Sequence, residues 1–117
     1  MLKKFKMITL VGVVCFPDMP ISCDIRREKS KNSIINAFEN GEQVVFVTQT
    51  QSVLTKDLIN CINPVGCIVN LTSVNQIDDE LIKVQADGVR KVRVCNVIDD
   101  GDFIVCEVEE LESKNEN

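Results

Sequence analysis

The chain has 117 residues, 44% apolar and 26% charged, which is one domain's worth of sequence with the balance of an ordinary globular protein. A formal charge of −5, five phenylalanines and no tyrosine, tryptophan or histidine argue against nucleic-acid binding, which needs a basic field and stacking aromatics. No apolar run approaches the ~20 residues a membrane span needs, so no membrane partner is expected.

In chain order, the basic start Lys3-Lys4-x-Lys6 leads into short β-type runs, Met7 to Val11 and Val13 to Phe16, broken at Gly12. A basic start before an apolar stretch is also how a secretion signal begins, but Pro17-Asp18-Met19-Pro20 follows without a small-residue cleavage site. Buried strand is the better reading. Proline removes a ladder donor, so Phe16 to Pro20 is expected as a turn or edge segment, with a short strand over 21–25 behind it. From Glu28 to Asn40 the period changes to that of a helix, with Ile34, Ile35, Ala37 and Phe38 on one stripe and Asn40-Gly41 as the stop. Gln43 to Thr48 is β-branched and expected as a strand buried on both faces. Residues 49–63 show little pattern and are expected as a long loop, with one helical turn over Thr55 to Ile59.

From Val65 the alternation returns, placing Val65, Cys67, Val69 and Leu71 on one face of a long strand. Asp78-Asp79, Asp87-Gly88 and Asp99-Asp100-Gly101-Asp102 are then read as three turns, and Asp100-Gly101 is the strongest hairpin signal. They join four strands in an antiparallel meander that ends over Phe103 to Val108. The fold class is mostly β (α+β), a small barrel or strongly curved sheet plugged by one helix. Residues 1–110 make the domain, and 111–117 are a polar, acidic tail, frayed or a truncation point.

The six cysteines include no Cys-x-x-Cys pair, and Cys67, Cys95 and Cys106 lie in Val/Ile runs. There cysteine serves as a small hydrophobe, so free, buried or half-buried thiols in a reducing cytosol are expected, with no metal. Without histidine, the Ser/His and Cys/His arrangements cannot be assembled within the chain. The glycines stand singly and form no phosphate loop, so no cofactor is expected. Acidic residues at the turns are explained by turn chemistry.

The order of short segments goes further. Val13-Val14-Cys15-Phe16-Pro17-Asp18-Met19, Arg27-Glu28-Lys29-Ser30 opening a helix, Val45-Phe46-Val47-Thr48-Gln49, Val65-Gly66, and Lys83-Val84 through Gly88 to Arg90-Lys91 follow with hardly a gap. Together, over about residues 7 to 110, they resemble the N-terminal substrate-binding domain of Lon-type ATP-dependent proteases. Departures fall mostly in turns: Arg26 stands where that family has Gly, and Asp78-Asp79-Glu80 replaces a Pro-Asp-Gly hairpin.

The resemblance implies a PUA-like β pseudo-barrel of about six strands with one main α-helix. It also implies a non-catalytic module that recruits unfolded, damaged or tagged proteins to the ATPase and Ser–Lys protease modules of the same chain, and helps self-association. A receptor for unfolded chains needs an apolar patch or a free strand edge with a charged rim. The candidate contacts are Phe16, Pro17 and Met19, with Arg27, Glu28 and Lys29 as charged neighbours. The competing reading is a stand-alone PUA-like module binding another protein, or RNA through Arg90, Lys91 and Arg93.

Overall fold

The computed structural model describes residues 3–10, 16–50, 62–99, 101 and 103–111. In chain order these form β1 (Lys3–Leu10), β2 (Pro20–Ile25), α1 (Glu28–Glu39), β3 (Val44–Thr48), β4 (Val65–Gln76), β5 (Ile82–Asp99) and β6 (Ile104–Glu110). The strands run in the order β2-β5-β4-β3-β1-β6, and β5 also pairs with β6. Five strands therefore close a ring, and β2 is added outside it along the first half of β5. This is the expected pseudo-barrel of six strands with one helix. β1 and β3 are parallel, Lys6 opposite Val44 through Leu10 opposite Thr48. Parallel neighbours need a crossover, and here it carries β2 and α1.

β3 shows why the ring holds. Its Val-Val-Phe-Val run is buried on both faces, Phe46 being 1% exposed. Val45 and Val47 join Met7, Ile68, Val92, Val94, Cys106 and Val108 in a core drawn from every strand of the ring. Val44 and Phe46 face the other way, into a second core with Ile8, Leu10, Ile21, Cys23, Ile34, Ala37, Val69 and Val84. The helix thus lies against the outside of the ring and does not plug it.

Helix α1 starts and stops where its sequence signals stand. Gly41, at φ +67°, takes the left-handed conformation that ends it, and the Gly41 and Glu42 amides close on the Phe38 and Ala37 carbonyls. The apolar stripe is narrower than expected. Ile34 and Ala37 are fully buried, but Phe38 is 41% exposed, and Ser30, Lys31 and Ser33 take the remaining buried positions. Lys31 reaches the Asp79 carbonyl at 3.3 Å, which places its charge at the edge of the core.

The largest departure concerns Asp87-Gly88. No turn occurs there: β5 runs unbroken for 18 residues, so the meander has three strands, β4, β5 and β6, joined by two turns. The first half of β5 sends Ile82, Val84 and Ala86 to the outer core, and the second half sends Val92 and Val94 inside the ring. In β4, Cys67 and Val69 share the outer core and Leu71 packs against it, with Ile68 between them facing the ring interior as alternation requires; Val65, expected on the same face as Cys67, is 37% exposed at the start of the strand. Register shifts against β5 stand at Ile68/Val69 and Leu71/Ser73.

The other two turns stand as expected. The Asp78 carboxylate accepts the Glu80 and Leu81 amides, and the Asp99 carboxylate accepts the Gly101 amide. Val11 to Cys15, the Thr55 to Ile59 turn, Cys61, Asp100, Asp102 and residues 112–117 lie outside the described residues.

Candidate functional site

Phe16 and Met19 are 49% and 53% exposed, while Pro17 between them is half-buried. The backbone holds them there. Asp18 has φ 64°, the one positive φ on a non-glycine among the described residues. Its N–H donates to the Gly88 carbonyl at 2.9 Å, and the Gly88 N–H donates to the Met19 carbonyl at 2.9 Å. Two residues facing one make a bulge that continues the β2–β5 ladder past Pro20 and Asp87.

Gly88 permits this approach. A Cβ at that position would collide with the Phe16 carbonyl and crowd the Pro17 Cα. A glycine inside a strand pattern is itself a signal of close backbone approach, and that signal was present in the sequence. The Lys91 ammonium stands 5.7 Å from the centre of the Phe16 ring, giving the apolar pair a cationic rim.

The second group of candidate residues lies elsewhere. Strand β2 separates Met19 from the start of α1, and its five residue steps span about 17 Å. Arg27 is the residue before the first turn of α1, and its Nη1 donates to the Thr9 hydroxyl at 3.0 Å. Glu28 pairs loosely with Lys31 at 3.4 Å. Lys29 binds both oxygens of Asp99, at 2.7 and 2.6 Å, and ties α1 to the β5–β6 turn. The Lys29 hydrogen bond, then the Gly101 amide, hold the Asp99 carboxyl below its ordinary range. Phe16, Pro17 and Met19 therefore form one surface, and Arg27, Glu28 and Lys29 are distributed around the opposite end of β2.

The basic run on β5 is partly engaged. Arg90 pairs with Glu110 at 2.7 Å, Lys91 covers Phe16, and Arg93 stands opposite Glu109 in the β5–β6 register. Glu110 also pairs with Lys3 at 3.0 Å, and the Lys3 and Arg90 hydrogen bonds lower its carboxyl.

The four described cysteines are free. Burial pushes the Cys23 thiol to about 11, with the neighbouring Asp24 charge adding to it, and pushes Cys106 to about 12. Cys67 is buried as well. Cys95, expected inside, is exposed because its neighbours Val92 and Val94 take the inward positions and the β5–β6 register shifts between Val94 and Asn96. Among the described residues no helix is long and apolar enough to cross a membrane.

A family model described as the ATP-dependent protease La (LON) substrate-binding domain matches residues 4–117. The chain belongs to this family. It is 24% identical over 113 residues to a Lon protease of Clostridium acetobutylicum, covering 97% of the chain and 14% of that protein. With Lon protease of Escherichia coli K12 the identity is 26% over 106 residues, covering 91% of the chain and again 14% of the relative. The chain thus spans about one-seventh of the length of these Lon relatives.

The fold is shared with solved Lon N-terminal domains. That of the Mycobacterium avium complex superposes with a TM-score of 0.75 at 14% identity, over 98% of this chain and 58% of that one. That of Xanthomonas campestris gives 0.69 at 16% identity, over 94% and 60%. The fivefold order of short segments in the sequence pointed to this family correctly, although each segment alone is common.

Proposed function

We propose that this domain is the non-catalytic, cytoplasmic recruiting module of a Lon-type ATP-dependent protease. It holds unfolded, damaged or tagged proteins for the ATPase and Ser–Lys protease modules of the full-length enzyme, and it assists self-association. The observation that carries the reading is the display of Phe16 and Met19 on a turn fixed to Gly88. Unfolded chains differ from folded ones in exposed apolar and extended segments. Two half-exposed apolar side chains with a lysine beside them supply an adaptable contact for such segments. The turn is already ordered, so little conformational freedom remains to be lost on binding.

The test is titration of a permanently unfolded protein into the wild-type domain and into Phe16→Ser and Met19→Ser. Both side chains lie outside the two buried cores, so the variants keep their fold by circular dichroism. The expected outcome is affinity reduced about tenfold in each, the order of one buried apolar contact. Unchanged affinity in both folded variants would remove the turn from the binding surface.

A further inference from the structure

Between the end of β1 and the outer edge of β2 lies a groove of about 610 Å³, lined by Thr9, Leu10, residues 22–25 and by Arg26, Arg27, Ser30 and Lys83. Three independent features meet in it.

The first is a strand edge. Among the described strands β2 pairs only with β5. The bond from Gly88 to Met19 sets the alternation of the ladder, so that Ile21, Cys23 and Ile25 bond across to β5. Ser22 and Asp24 consequently turn their N–H and C=O groups toward the groove.

The second is charge. Arg26 and Lys83 make no ion pair and no side-chain hydrogen bond among the described residues, and Arg27 is held across the groove by Thr9. Asp24 is the one acidic residue on the lining. Three cations against one anion form a local positive field on a chain whose net charge is −5.

The third is unmet hydrogen-bonding capacity. Arg27 precedes α1 without a side-chain cap, so the amides of the first helical turn have no acceptor there. Ser30 is 6% exposed, lines the groove, and its hydroxyl has no partner among the described residues. An unpartnered hydroxyl beside uncapped amides and unpaired cations is a donor set for an anion.

We propose that an extended acidic segment of an unfolded polypeptide adds as a strand along β2, with one carboxylate seated against Arg26, Lys83 and the first turn of α1. Backbone pairing to Ser22 and Asp24 supplies sequence-tolerant affinity, and the carboxylate fixes register. This rests on the recruiting function above and names the kind of segment recruited.

The experiment measures binding of labelled extended peptides to the whole chain: an alternating Glu/Val peptide, its Gln/Val counterpart, and each with a free or amidated C-terminus. A permanently unfolded protein is titrated in parallel. The variants are Arg26→Glu with Lys83→Glu, both exposed, and Ser22→Pro, which removes one outward donor at an edge position that tolerates proline. The proposal expects the acidic peptide to bind more tightly than the neutral one, and both variants to lower its affinity about tenfold or more.

Dependence on the free C-terminus assigns the anion to the chain end; dependence on glutamate assigns it to a side chain. Either supports the groove. Equal binding of the acidic peptide and the amidated neutral one, or acidic binding indifferent to the charge-reversed variant, overturns it, even if the unfolded protein still binds and the recruiting function stands. Retained acidic-peptide binding with no binding of the unfolded protein would keep the groove and contradict recruitment.

Discussion

Gly88 and Asp18 decide whether the Phe16–Met19 surface exists. Gly88→Ala places a methyl group where the Phe16 carbonyl lies, so the turn must lift from β5. The expected result is a loss of about 1–3 kcal/mol in denaturant unfolding, the range for forcing extra volume into a packed contact, together with weakened binding of unfolded protein. Asp18 sits at φ 64°, where a short polar side chain is tolerated and a β-branched one is not. Asp18→Val is therefore expected to cost about 1–2 kcal/mol, and Asp18→Gly to be close to neutral. The thiols give a separate check. The raised Cys23 and Cys106 thiols remain protonated well above pH 9, so among the four described cysteines Cys95 should be alkylated first in the native domain. Peptide mapping after timed alkylation reads the order. Because the folded values lie above the unfolded one of about 9, these thiols leave stability untouched below that pH. Above it the unfolded chain loses protons first, and stability declines as pH rises.

Among the elements, those with strong local chemistry were legible in the sequence and those defined by distant packing were not. The helix over residues 28–39 was visible because its period and its glycine stop agree. Gly41 is at φ +67° with open space around it, so Gly41→Ala is expected to cost about 1 kcal/mol through backbone strain alone; a thermal melt measures it. β3 was legible from its unbroken β-branched run. Asp87-Gly88 was misread because the same dipeptide serves a tight turn and a close approach, and only the position of Phe16-Pro17, far earlier in the chain, distinguishes them. Phe38 was misplaced for a related reason: the stripe gives the direction of burial, but the width of the contact depends on which strands face the helix. The candidate contacts divide in the same way. Phe16 and Met19 were singled out from the proline between them and the adaptability of methionine, whereas Arg26, Ser30 and Lys83 come together only when β2 aligns antiparallel to β5.

At the scale of the molecule, the five-strand ring leaves β2 as the one described strand that pairs with a single neighbour, and the apolar turn lies at one end of it with the cationic groove along it. Phe46, buried where the outer core meets the sheet, is the natural test of the ring: Phe46→Ala should cost about 3–5 kcal/mol and unfold the domain as a unit. Rigid ring and exposed edge together suit a receptor that must keep its own fold while holding a chain that has none. The most direct measurement is amide hydrogen exchange of the domain, alone, with a permanently unfolded protein, and with the same protein folded. Slowed exchange over residues 16–24 with the unfolded partner alone, and the rest of the ring unchanged, is the predicted result. Equal protection by folded and unfolded partner, or protection that leaves the turn and β2 untouched, would contradict the account.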